Sequence, residues 1–257
     1  MPIDRRNLCA GAGAVLLLCV TGLSRAAEPA PIPSYIQAAV AEPTRPERDR
    51  QRDADRKPEQ VIAFAGIKPG DQVAELMPGG GYFTRIFCQA VGPSGHVYAV
   101  SVTPVVKRER PASAQADQET PNPCSNVTAD SQEAADFSLP AGLDVVWTSE
   151  NYHDLHNKMF GTPDMKAFDT AIFKALKPGG VFIVEDHAAQ PGSGARDTET
   201  LHRIDARLVR REVTSAGFVL VAASDVLRHP DDAHTARVFE LHGKSDKFLL
   251  KFRKPKH

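Results

Sequence analysis

The chain has 257 residues, 31 basic against 32 acidic side chains, and 42% hydrophobic residues. A charge so near balance excludes binding to nucleic acid through a broad basic field, and the composition excludes collagen-like, coiled-coil and wholly disordered chains. The length gives one domain, or at most two, with ample chain to bury a core.

Residues 1–26 have the three-part layout of a secretory signal peptide. Arg5 and Arg6 make a cationic start, Leu8–Leu23 is apolar, and Ser24-Arg25-Ala26 offers small residues at a cleavage point. The apolar run is shorter than the ~20 residues that span a bilayer. The expectation is a periplasmic or secreted protein with no membrane span after cleavage. The paired arginines also fit a twin-arginine signal, which exports folded proteins. Cys88 and Cys124 survive cleavage in a compartment that permits a disulfide. The sequence leaves open whether they meet.

Residues 27–57 read as a linker and a charged lead-in helix. Pro29, Pro31, Pro33, Pro43 and Pro46 break up the first part. Glu47–Lys57 has no apolar face, and its opposite charges at helical spacing suit an exposed helix. A solvated helix is the expectation. The sharper alternative is an arm over a ligand cleft, with Arg48, Arg52 or Arg56 reaching an acidic group.

Residues 58–257 alternate helices and strands. Pro58 suits a first helical position, followed by the apolar stripe Val61, Ile62, Phe64 and Ala65. Strands are predicted over 72–76, 96–102, 126–128, 144–148, 181–185, 218–223 and 247–252. Further helices are predicted over 82–91, 163–176 and 197–216. Near-continuous apolar strands between amphipathic helices predict an α/β fold, a three-layer doubly wound sheet of about seven strands, mostly parallel. No convincing helix joins the last two strands, so the last strand is expected to be antiparallel.

The first strand runs into Glu75-Leu76-Met77-Pro78-Gly79-Gly80-Gly81-Tyr82. In doubly wound sheets ligands bind beyond the carboxyl ends of the strands. Glycines there let a ligand approach the backbone, and the following helix start supplies free N–H groups. A carboxylate at the strand end accepts hydrogen bonds from an amine or hydroxyl.

Together with the Asp144-Val145-Val146 strand and the Lys177-Pro178-Gly179-Gly180 turn, this motif resembles the class I S-adenosylmethionine-dependent methyltransferase family over about residues 58–253. A less-studied exported branch is suspected from the Tyr-His-Asp-Leu and Leu-His-Arg-Ile-Asp segments. The resemblance implies S-adenosylmethionine as cofactor, held by Glu75, Met77, Pro78, Gly79, Gly80, Gly81, Tyr82 and Ser101. Met77 stands where the first family glycine falls. The second strand ends without the acid that holds the cofactor ribose, and Ser101 offers one hydrogen bond in its place. Asp130, Glu133 and Asp136 are all open as the adenine-side residue.

The loop after the fourth strand contains His153 and Asp154, the fifth strand ends in Asp186-His187, and the next helix carries His202 and Asp205 on one face. These strand ends converge on one cleft. Methyl transfer needs an aligned nucleophile and often a base. His153, Asp154, Asp186, His187 and His202 are therefore the catalytic candidates. The same residues suit structural roles. Asp154, Asp186, His187 and His202 also suit a divalent metal, but with no tight HxH or HExxH spacing none is assigned.

The expected activity is methylation of a small-molecule acceptor, with no nucleic-acid partner. The rival readings are a catalytically silent binding protein on the same fold and a metal-dependent hydrolase using the His/Asp cluster.

Overall fold

The computed structural model describes Met1, residues 31–106 and residues 124–256. The predicted signal peptide therefore lies almost wholly outside the described residues. The chain divides into two units, Met1–Pro31 and Ile32–His257, and every element named below lies in the second.

The sheet contains β1 (Gln72–Leu76), β2 (His96–Thr103), β3 (Val127–Glu133), β4 (Leu143–Ser149), β5 (Leu176–His187), β6 (Val219–Ser224) and β7 (Lys247–Arg253). Their spatial order is β3-β2-β1-β4-β5-β7-β6. All neighbours pair in parallel except β7, which runs antiparallel to both β5 and β6. The expected fold and antiparallel last strand are thus present. The Lys177–Gly180 turn is part of the observed β5 rather than preceding it.

Alternate side chains of the central strands feed two cores. On one face, Val73, Val145, Trp147, Ile183 and Leu249 pack with α1 (Ser34–Val40), α4 (Pro58–Ala65) and α5 (Tyr82–Val91). On the other, Ala74, Val146, Phe182, Val184 and Leu250 pack with α6 (Met165–Ala175) and α8 (Ala206–Ser215). A strand buried on both faces has to be apolar along its whole length, which is why these segments do not alternate in sequence. Cys88 in α5 and Cys124 ahead of β3 are joined by a disulfide. The Asn126 amide donates to the Gly92 carbonyl at 2.8 Å and to the Cys88 carbonyl at 3.1 Å, so this side chain is committed to the fold.

Two expectations are corrected. Residues 32–57 are neither linker nor solvated helix. Ser34–Val40 is helical and buries Ile36 and Ala39. The charged stretch forms two single turns, α2 (Glu47–Arg50) and α3 (Asp53–Arg56), with Asp49 buried. The helix expected over 197–216 is also broken. It splits into α7 (Thr198–Leu201) and α8, with His202 between them at φ 55°. The break follows from Arg203, which is fully buried and donates to the Ala188 and Ala236 carbonyls and to Asp232. Asp205 then caps α8, accepting from Arg207 N at 2.8 Å, and does not share a helix face with His202.

Among the described residues, no helix is long and apolar enough to cross a membrane.

Candidate active site

A cleft of about 680 Å³ opens at the carboxyl ends of β1, β2 and β4. Its floor is the turn after β1. Glu75, Met77, Pro78, Gly79, Gly80 and Tyr82 all line it, as does Ser101 from β2. Gly81 does not. It caps α5 in the left-handed conformation at φ 74°. Gly79, at φ 55°, has open space where a Cβ would stand, so the backbone there is bare toward the cleft. The family's first glycine position is filled by Met77, which nonetheless keeps a left-handed backbone at φ 51°. Such a conformation costs an L-residue roughly 1–2 kcal/mol. It is held by the Val100 carbonyl, which accepts from Met77 N at 2.7 Å, and by the Asn151 amide, which donates to Met77 O at 2.9 Å.

The arm forms one wall. Arg48, Asp49, Arg52 and Arg56 line the cleft, so the solvated-helix expectation is overturned in favour of the covering arm. Tight contacts latch it down. Asp49 accepts from Arg85 Nε and Nη2 at 2.8 and 2.5 Å, with both partners buried. Arg45 makes a bidentate pair with Asp53, which also accepts from the Tyr82 hydroxyl at 2.6 Å. The Arg56 guanidinium stands 4.8 Å above the Tyr82 ring and is ion-paired with Glu150.

Two buried glutamates, Glu75 and Glu185, and the partly buried Glu150 face this arginine. Burial pushes the Glu75 carboxyl up to about 8, against the Thr84 hydroxyl that donates to it and the charges of Arg56 and Arg85. Burial, and then the neighbouring Glu150, raises Glu185 to about 7. Burial would raise Glu150 as well, but Arg56, His187 and Lys247 hold it well below the usual carboxylate range. An acid kept ionised beside one pushed toward neutrality is the pattern of groups tuned by their surroundings.

A second cavity of about 360 Å³ adjoins the first, sharing Arg52, Arg56 and Glu150. His187, Phe239, His242, Ser245 and Lys247 complete much of its wall. His187 Nδ1 shares a 2.8 Å hydrogen bond with Ser245, and burial pushes its ring down to about 4, so it is neutral near pH 7.

Four of the five catalytic candidates, His153, Asp154, Asp186 and His202, form one cluster, and His187 opens into the smaller cavity. Of the five, Asp154 alone lines the larger cleft. His153 and Asp186 are buried, with Nδ1 2.8 Å from Oδ1 and the His153 backbone N–H donating to Oδ2 at 2.8 Å. His202, just after α7, reaches this pair, its Nδ1 3.3 Å from His153 Nε2. Asp130, Glu133 and Asp136 do not line the cleft. The Asp231–His234 loop is tied down through Asp232, which pairs with Arg203 at 2.8 Å and accepts from Asp246 N at 2.7 Å.

Glu150, Asn151, Glu185 and Lys247 were not singled out from sequence. The available signal was polar residues directly at the carboxyl ends of apolar central strands.

No family model matches the chain. It is 40% identical over 127 residues to an arsenite methyltransferase of Halobacterium salinarum, a match covering 48% of this chain and 29% of that protein. It is 23% identical over 188 residues to a ubiquinone/menaquinone biosynthesis C-methyltransferase of Cupriavidus taiwanensis, covering 70% of each. The chain therefore spans under a third of the first relative and about two thirds of the second. A solved S-adenosylmethionine-dependent methyltransferase from Aquifex aeolicus superposes with TM-score 0.55 at 18% identity, over 81% of this chain and 98% of that one. The chain shares the fold of that S-adenosylmethionine-dependent methyltransferase.

Proposed function

We propose that this chain transfers a methyl group from S-adenosylmethionine to a small polar acceptor, and that it does so after export. The observation that carries the reading is the shared wall between the two cavities. The glycine turn opens into the larger, His187 and Lys247 into the smaller, and Glu150 and Arg56 belong to both.

The residues fit the cofactor at one end. The bare Gly79–Gly80 backbone admits a nucleoside, Arg48 and Arg52 suit a carboxylate, and Glu75, Glu150 or Asp154 suit an ammonium group. Ser101 is the polar side chain at the end of β2. The cofactor supplies an electrophilic methyl. The protein's part is to align a nucleophile with it and take up the released proton.

The acceptor belongs in the smaller cavity. Arg52, Arg56 and Lys247 outnumber Asp55 and Glu150 there, which favours an anionic or hydroxylated molecule. With the ring hydrogen on Nδ1 and donated to Ser245 Oγ, His187 Nε2 is the atom that accepts a proton, and the ring is neutral near pH 7. Arsenite is a poor candidate. Soft ions favour thiolates, and among the described residues both cysteines are tied in the disulfide.

Export is supported by the leader pattern of residues 1–26 and by the same disulfide. A folded-state route would let the protein carry its cofactor out of the cytoplasm. Incubating the chain with S-adenosylmethionine and a panel of hydroxylated and anionic acceptors tests the activity. The expected result is acceptor-dependent release of S-adenosylhomocysteine, lowered about 10²–10⁴-fold in His187→Ala, the usual share of a general base. Cofactor binding with no turnover across the panel would favour the silent binding protein.

A further inference from the structure

We propose that His153, Asp154 and His202 form a binding site for one divalent transition-metal ion of the zinc type. The inference is independent of methyl transfer.

Three candidate ligand atoms converge there, two from the 3-10 turn Tyr152–His156 and one from His202 just after α7. His153 Nε2 is 3.3 Å from His202 Nδ1 and 3.4 Å from Asp154 Oδ1, and His202 Nδ1 is 3.8 Å from the same oxygen. A four-coordinate ion with bonds of ~2.0–2.1 Å separates its ligand atoms by about 3.3–3.4 Å. Two of the three edges already have that length, and the third exceeds it by a few tenths of an ångström.

The surroundings prepare these atoms as ligands. Asp186 accepts from the backbone N–H groups of His153 and His187 and faces His153 Nδ1 at 2.8 Å. That network assigns the ring hydrogen to Nδ1 and leaves the Nε2 lone pair pointing at the cluster. A carboxylate behind a histidine in this way is the usual support of a metal-bound imidazole. His202 is delivered by a left-handed backbone at φ 55°, and its ring is flanked edge-on by Phe239 at 4.7 Å. Two imidazoles and one carboxylate select zinc and its transition-metal neighbours over magnesium or calcium, which prefer all-oxygen sites.

Asp154 also lines the larger cleft, and both Asp154 and His202 are a quarter exposed. A fourth coordination position is therefore available to water or to an oxygen of a bound molecule. Such an ion would polarise that oxygen and lower its pKa, giving the cleft a second means of activating a hydroxyl.

The test uses the chain from Ala27 onward, stripped with chelator and titrated separately with zinc and with cobalt. The expected result is one ion per chain, with cobalt showing the intense visible bands of a four-coordinate centre. His202→Gly removes a ligand at a position whose backbone favours glycine, and should weaken zinc binding at least 100-fold. Asp186→Asn should weaken it about 10–100-fold through the supporting contact. Asp154→Asn checks the third ligand should His202→Gly fail to fold. Less than one ion per chain, or affinity unmoved by the ligand substitutions, overturns the site. Equilibrium dialysis of S-adenosylmethionine against the metal-stripped chain reads the cofactor separately, so failure of one proposal is not failure of the other.

Discussion

The side-chain amide of Asn151 donates to the carbonyl of Met77 at 2.9 Å and to that of Leu76 at 3.3 Å, tying the loop after β4 to the left-handed residue that shapes the cleft floor. Asn151 is buried, so removing its amide leaves two carbonyls with no donor in its place. Asn151→Ala should cost about 1–3 kcal/mol of stability in urea unfolding. It should also lower S-adenosylhomocysteine affinity about tenfold, equivalent to about 1.4 kcal/mol. Unchanged affinity would mean that Met77 holds its conformation without help.

The arm provides a second test. Arg85→Met strands the buried Asp49 carboxylate and should cost about 3–5 kcal/mol, whereas a solvated pair would cost about 1 kcal/mol at most. The paired change Asp49→Leu with Arg85→Met should recover much of that loss. Both are read by urea unfolding.

Glu75 makes stability depend on pH. Its folded-state value is about 8, above the ordinary 4.5, so between these values the folded chain binds more protons than the unfolded one. Stability from this group is therefore present below about 4.5 and is lost as pH rises toward 8. Glu75→Gln removes the titration and keeps the shape. It should flatten the profile and be more stable than the parent at pH 8, while binding cofactor less tightly. Unfolding midpoints measured from pH 5 to pH 9 decide the point.

The Cys88–Cys124 bridge spans a sequence separation of 36. Closing a loop of that size stabilises by about 3–4 kcal/mol on chain-entropy grounds. Urea unfolding with and without reductant should differ by that amount. A negligible difference would weaken the disulfide as support for export.

The sheet was legible because its signals are local. Apolar runs such as Val145–Trp147 and the turn at Gly79–Gly81 are written in consecutive residues, and β1 and α5 fall at their predicted bounds. The arm was not legible, because Glu47–Lys57 reads as a solvated helix until its partners are known. Asp49 is buried by Arg85, 36 residues further on, and Arg56 by Glu150, 94 residues on. The break at His202 was hidden for the same reason, since Arg203 is drawn out of the helix by Ala236 and Asp232. Among the site residues, glycines and strand-end polar groups announced themselves. The pairing of His153 with His202 depended on tertiary placement across 49 residues.

The most direct test is equilibrium dialysis of radiolabelled S-adenosylmethionine against the chain from Ala27 onward. Saturable retention of one molecule per chain, displaced by S-adenosylhomocysteine, is the predicted result. Label no higher on the protein side than in buffer, at the highest concentration the protein tolerates, would contradict it.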